Sequence, residues 1–327
     1  MSGKNMLQRC WEHDYCAPCF YMITIVTEPR RPCLGELNAG TDDTEPAVSL
    51  SPIGKIVHDG WHRTSSCYPG VDACEHVIMP DHFHGILWVK ERLGRPMGHI
   101  IKAFKRVCTQ ECRSKGLLLQ PNQVPGAAPC SRSSSLWQQG FQDSILLRKG
   151  QLEAMANYIA DNPRRLAAKL AHPELFTVVR DQTIAPGQSF PMIGNRELLQ
   201  HPLKRRIQIS RSISVQELAS KKEELLYAAE HGVVLVSPCI SPGEKEIARA
   251  VLELKKPLIV LLANGFSPGY KPPGRYFHAC SEGRLLMIAP FPYQRRKQPI
   301  TREQCLILNK WAKIVSTNHQ NGDNHET

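Results

Sequence analysis

The chain has 327 residues, enough for two domains with ordinary cores. Its 41 basic and 30 acidic residues give a net charge of +11, which points to an anionic partner without separating nucleic acid from a membrane surface. No stretch approaches the roughly 20 apolar residues of a membrane span, and the first residues lack an apolar signal core; a cytoplasmic protein with no membrane partner is expected.

Near the start, Cys10, His13, Cys16 and Cys19 fall close together, and Cys16-Ala17-Pro18-Cys19 has zinc-knuckle spacing. Structural zinc sites usually close a loop with two separated ligand pairs. These four crowd the approach to one strand, so reduced thiols are the favoured reading. Residues 20–27, rich in β-branched and aromatic side chains, read as that strand. After a turn-rich insertion over 32–52, residues 72–79 and 82–89 read as a hairpin joined at Pro80-Asp81. A strand repeats its side-chain direction every second residue, so His82 and His84 are expected on one face, with Phe83, Gly85 and Leu87 on the other. Two imidazoles converging from one strand can hold a metal.

From 97 to 112, Met97, Ile100, Ile101, Phe104, Val107 and Cys108 recur at helical spacing, leaving Lys102, Lys105, Arg106 and Arg113 on a polar face. Residues 120–135 form a proline- and serine-rich low-complexity segment, expected to be mobile. A helix is expected over 151–161, buried through Leu152, Met155 and Ile159. Tyr158 and Asn162, four residues apart, share roughly one side of it. Pro163 is expected to end the helix, because it biases Asn162 away from helical dihedrals.

Beyond residue 181 the texture changes. Residues 183–194, rich in proline and glycine, read as a linker. Short apolar strands at 206–209, 233–236, 258–262 and 285–288 then alternate with helices that begin at Ser214-Val215-Gln216-Glu217, Ser241-Pro242-Gly243-Glu244 and Thr301-Arg302-Glu303-Gln304. That alternation implies a parallel sheet covered on both faces.

In the first half, the run Pro80-Asp81-His82-Phe83-His84-Gly85 and the later Asn157-Tyr158-Ile159-Ala160-Asp161-Asn162-Pro163 resemble the single-tyrosine HUH endonucleases, in particular the REP-associated tyrosine transposases and their insertion-sequence relatives. His13-Asp14-Tyr15 leading into Phe20–Ile25 is similar to that family's first strand. Leu136-Trp137-Gln138-Gln139-Gly140-Phe141 is similar to the segment before its tyrosine helix. The resemblance covers about residues 10–175, with the pieces in the family's order. It implies an α+β ferredoxin-like HUH nuclease fold, an antiparallel sheet with helices on one side. It further implies Tyr158 as nucleophile, His82, His84 and Asn162 as ligands of magnesium or manganese, and single-stranded or hairpin DNA as substrate. The product would be a 5′-phosphotyrosine and a free 3′-hydroxyl, the chemistry of a transposase. One departure stands out: relatives commonly carry Asp-His or Glu-His before the tyrosine helix, and this chain has Asp143-Ser144.

The chemistry is consistent with these residue types. A phenol with a pKa near 10 is mostly protonated at neutral pH. A divalent cation beside the phosphate polarises a non-bridging oxygen, and neutral imidazoles with an amide oxygen bind that cation without cancelling its charge. Beside such a site, Lys102, Lys105, Arg106 and Arg113 are expected to contact DNA phosphates. A replication initiator fits less well, because its tyrosine is typically followed three positions later by lysine, where this chain has Asp161. A His-x-His metallohydrolase lacks its further histidines and aspartate. The rival of a different class is a domesticated hairpin-DNA-binding protein that no longer cuts.

The second half, Val233 to Leu262 with Ser237–Gly243 between strand and helix, is distantly similar to the Rossmann-like domain of DNA-processing protein A and nucleotide-binding relatives. No G-x-G-x-x-G is present. A helix N-terminus after a strand would offer amides to phosphate, so a nucleotide or a protein partner remains open for this domain, as does a homodimer. The expected organisation is an HUH domain over 1–177, a linker over 178–194, a Rossmann-like α/β domain over 195–315 and a disordered tail over 316–327.

Overall fold

The structure, a computed structural model, describes residues 10, 12–41, 44–118, 135–296 and 298–317. It divides into two units, residues 1–167 and 168–327. Nearly all of the expected mobile segment (120–134 of 120–135) and of the expected tail (318–327 of 316–327) lies outside the described residues.

In the first unit, β1 (Cys19–Val26) leads to a small hairpin of β2 (Gly35–Asn38) and β3 (Ala47–Leu50). Helix α1 (Pro52–Cys67) follows, then β4 (Val71–Met79), β5 (His82–Val89), α2 (Gly98–Ser114), β6 (Gln142–Leu146) and α3 (Gln151–Ala171). Four strands form an antiparallel sheet in the order β4-β5-β1-β6. Ser51 starts α1: its side chain accepts from the Gly54 N–H, with Pro52 in the first turn, where its missing N–H costs nothing.

Alternation along β1 and β5 sorts their side chains into two layers. Tyr21, Ile23, Ile25, Phe83, Leu87 and Val89 form one core with α1 and α2. Met22 and Ile86, on the opposite face, pack with Leu146 and with Leu152, Met155 and Ile159 of α3. Helices therefore cover both faces of the sheet, which corrects the expectation of helices on one side. The reason lies in the strands: both faces carry apolar side chains, and each needs cover. Gly85 is required where it stands, since a Cβ there would lie 2.7 Å from the Trp61 ring, which packs on the sheet from α1.

Pro163 does not end the tyrosine helix. It sits inside α3, which continues to Ala171. A proline inside a helix forfeits one backbone bond. Here the burial of Ile159 and Asn162 and a 2.7 Å bond from Asn162 Nδ2 to the Tyr158 carbonyl hold the turn before it. The boundary between units falls within α3, ahead of the expected end at 177.

The segment read as a linker is a β-hairpin. β7 (Val179–Ala185) and β8 (Gln188–Gly194) pair antiparallel, and β8 pairs with β12 (Leu285–Ile288) in the second unit's sheet. Its proline and glycine mark a turn and a strand end: Gly187, at the tip, has φ +71°. The remaining elements are β9 (Lys204–Arg206), α4 (Val215–Glu230), β10 (Val234–Ser237), α5 (Pro242–Glu253), β11 (Leu258–Leu261), α6 (Gly274–Ser281), β12 and α7 (Arg302–Thr317). The six-stranded sheet runs β7-β8-β12-β11-β10-β9, with β9 to β12 parallel. Residues of α4, α5 and α6 form the core on one face, and α7 covers the other through Leu308, Trp311, Ala312 and Val315. The parallel strands follow one another in chain order without reversal. The sheet thus lacks the switch point at which doubly wound sheets open their ligand crevice, a departure from the Rossmann-like expectation. Among the described residues no helix is long and apolar enough to cross a membrane.

Candidate active site

His82 and His84 lie on the α3 side of the sheet, with ring centroids 4.7 Å apart. The alternation that sends Phe83 into the α1/α2 core turns them the other way. Each ring is oriented through Nδ1. His82 Nδ1 lies 2.5 Å from Asp81 Oδ1, and His84 Nδ1 lies 2.8 Å from Thr24 Oγ1. Thr24 stands directly across from His84 in the β1–β5 register. With Nδ1 engaged, each imidazole would meet a metal through Nε2. This arrangement, a ring nitrogen held by a carboxylate or hydroxyl while its twin is the ligand atom, is how metal-binding histidines are fixed. The donor set suits a hard-to-borderline divalent ion when an oxygen ligand completes it.

Tyr158 comes to this face from α3. Its ring centroid lies 5.8 Å from that of His84. Asn162, one turn further along, is buried, and its amide is tied to the Tyr158 carbonyl. The structure thus gathers His82, His84 and Tyr158, with Asn162 on the same helix one turn away. Sequence reasoning assigned no role to three supporting residues. Asp81 is held well below the usual carboxylate range, first by the His82 hydrogen bond and then by Arg30 at 2.6 Å, against the opposing effect of burial. Thr24 is found only once the strand register is known. The Arg165 guanidinium lies 5.6 Å from the centre of the Tyr158 ring, and burial lowers its pKa. Its spacing of seven from Tyr158 was the available signal, two turns on one helix side.

Asp143 and Ser144 part company across β6. Asp143 accepts a 2.9 Å bond from the Tyr15 hydroxyl. Ser144, paired with Met22, is on the face of the histidine pair. The four candidate zinc ligands near the start do not gather: His13 Nε2 is bonded to the Tyr21 hydroxyl at 2.8 Å, and Cys10, Cys16 and Cys19 are free thiols.

The basic residues of α2 divide. Lys102 and Arg106 are exposed and, with Arg95 and His99, line an open cavity of about 660 Å³ beside α2. His99, Lys102 and Arg106 recur at three and four residues, one helix face. This groove belongs to the α1/α2 side of the sheet, the opposite side from the histidine pair. Arg113 is half-buried near the end of α2. Lys105 does not face solvent as expected. Its ammonium turns inward to the carbonyls of Gln138, at 2.6 Å, and Gly140, and burial pushes its pKa down to about 8. It pins the segment before β6, because a long amine reaches both carbonyls there. Lys105→Met is therefore expected to lower the melting temperature by several degrees, as two acceptors lose their donor at roughly 1 kcal/mol or more each. The salt dependence of DNA binding should stay unchanged. A wild-type melting temperature with a reduced salt slope would return Lys105 to the DNA-contacting face.

In the second unit, the turn from β10 into α5 is where the sequence left open either phosphate or no ligand at all. The amides of Ile240, Ser241 and Glu244 there are already engaged. The buried Glu244 carboxylate accepts from the N–H groups of Ile209 (3.3 Å), Ile240 (2.7 Å) and Ser241 (3.1 Å), and the Ser241 hydroxyl accepts from Glu244 N–H. The protein's own carboxylate occupies the anion position at this helix start. A cavity of about 580 Å³ lies alongside, with Arg211 and Arg302 in its lining.

No family model matches the chain. A protein of Haemophilus influenzae described only as uncharacterized is 22% identical over an alignment covering 47% of this chain and 86% of the relative. Among solved structures, a REP-associated tyrosine transposase bound to a REP hairpin is similar at a TM-score of 0.34 and 15% identity, covering 49% of this chain and 74% of that one. The single-stranded-DNA-binding DNA processing protein A from Helicobacter pylori is similar at a TM-score of 0.32 and 19% identity, covering 43% of this chain and 66% of that one.

Proposed function

We propose that this protein cleaves and rejoins single-stranded or hairpin DNA through Tyr158, with a magnesium- or manganese-type ion held by His82, His84 and Asn162. The observation that carries the reading is the shared face: two imidazoles oriented by Asp81 and Thr24, with the Tyr158 ring beside them. The Tyr158 oxygen attacks phosphorus and loses its proton to solvent. The bond from phosphorus to the leaving 3′-oxygen breaks, and that oxygen departs as a hydroxyl. The 5′-phosphotyrosine keeps the diester linkage, so the strand can be rejoined. A divalent ion supplies Lewis-acid polarisation of the phosphate. Arg165 packs over the Tyr158 ring and helps hold it in place, and the Lys102/Arg106 groove gives nucleic acid a second, sequence-independent hold.

A second reading is a hairpin-binding protein without cleavage. Ser144 supports it, since it occupies the sheet face where relatives commonly carry another histidine. The two readings separate on labelled hairpin and single-stranded oligonucleotides incubated with the purified full-length protein and manganese or magnesium. Cleavage predicts metal-dependent transfer of DNA to the protein that survives denaturation. Binding without any such adduct selects the second reading.

Asp81→Asn is expected to slow adduct formation roughly 10- to 100-fold, the usual effect of losing an orienting partner of a ligand histidine. The same substitution has a pH signature. A carboxyl depressed in the folded state contributes stability above its unfolded pKa of about 3.9 and loses it as pH falls through the folded value. Wild type should therefore lose stability below about pH 4 through this group, and Asp81→Asn should lack that component in acid-unfolding curves.

A further inference from the structure

On the other face of the same sheet, three histidines that no part of the proposed cleavage chemistry uses come together. His58 and His62 stand four apart on α1, one above the other on one helix side. His76 reaches them from β4. His58 Nδ1 and His76 Nε2 are 3.0 Å apart, and one candidate ligand nitrogen from each of the three rings lies within 4.8 Å of the other two. The ring centroids are separated by 4.6, 5.0 and 5.1 Å. The sheet contributes to this directly: the register of β4 against β5 slips between Ala73 and His76, a bulge that re-aims the strand.

We propose that His58, His62 and His76 form a second metal site, a three-imidazole site for a zinc-type divalent ion with water in the fourth position. Zinc–nitrogen bonds of about 2.0–2.1 Å in a tetrahedron set nitrogens roughly 3.3 Å apart. The spacings present straddle that value, and His62, at the solvent edge, is exposed and has room to swing in. Nitrogen-only ligation favours a zinc-type ion over the oxygen-seeking magnesium proposed for the other face. β4 is an edge strand of the four-stranded sheet. An ion bridging it to α1 would fasten that edge, and His62 at the surface leaves the fourth position open to water.

The test uses the full chain stripped of metal and carrying His82→Ala with His84→Ala, so that the other candidate site is removed. Zinc is titrated against a chromophoric chelator, and cobalt is added as a spectroscopic probe. One equivalent of zinc is expected to bind, with cobalt giving the visible bands of a four-coordinate nitrogen-ligated ion. Adding His62→Ala should weaken zinc binding roughly 100-fold or more and erase those bands. His62 is exposed, and circular dichroism will show its variant folded; His58→Gln, also read by circular dichroism, should repeat the loss. Zinc affinity that is the same with and without His62, or a cobalt spectrum dominated by sulfur charge transfer from the chain's twelve cysteines, would overturn the site. Failure here leaves the tyrosine chemistry untouched, because the two sites share no residue.

Discussion

Tyr158→Phe is expected to abolish strand cleavage and the covalent protein–DNA adduct while leaving DNA affinity within about twofold. The substitution removes one oxygen and keeps the ring, which packs beside His84 and under Arg165. The fold should therefore be unchanged, and so should any phosphate contacts made by Lys102 and Arg106. A phosphotyrosine requires that oxygen, and nucleophile removal in enzymes with a covalent intermediate costs several powers of ten in rate. The measurement is a denaturing gel of labelled hairpin DNA with manganese, wild type and variant side by side, together with equilibrium binding. An adduct that persists in Tyr158→Phe identifies another nucleophile. A loss of binding in parallel with cleavage would make Tyr158 part of the DNA-contacting surface.

The second large effect is on stability. Glu244→Ala should cost the second unit roughly 3 kcal/mol, because three backbone N–H groups, those of Ile209 and Ser241 buried and that of Ile240 partly so, lose a charged acceptor at once. For a unit of this size that corresponds to a fall of about 10 °C in melting temperature. Glu244 is 3% exposed, and its two carboxylate oxygens join the segment after β9 (Ile209) to the start of α5 (Ile240, Ser241). Glu244→Gln keeps one acceptor oxygen and should fall between wild type and alanine. Thermal unfolding of the three proteins decides it. An alanine variant that melts within a degree of wild type would show that water replaces the carboxylate at this turn. The result also bears on ligands, since a phosphate bound at the start of α5 would have to displace Glu244.

Much of the candidate site was legible in the sequence because its geometry is local. The period of two in a strand places His82 and His84 together, and the period of a helix places Tyr158 and Asn162 within one turn. The capping boxes of α4 and α5 were equally local: Ser214 with Glu217 and Ser241 with Glu244 make the reciprocal bonds that their spacing implies. Local rules also misled. Pro163 is a strong breaker by itself, yet α3 runs through it. Proline and glycine at 183–194 are turn chemistry, yet the turn belongs to a hairpin inside a sheet. In both cases burial of apolar neighbours outweighed local preference.

The amino-acid sequence alone thus paired His82 with His84 on one strand face and Tyr158 with Asn162 on one helix side, and the resemblance it carries implied their roles. Only the tertiary structure decided what each face meets. It put Thr24 across from His84 and Arg165 over Tyr158, turned Lys105 inward to two carbonyls, filled the start of α5 with Glu244, and brought His76 to His58 and His62. Each of these depends on strand register or on the packing of helices against a sheet. Those are contacts between residues distant in sequence, set by which arrangement buries the most apolar surface while leaving the fewest polar groups unpaired.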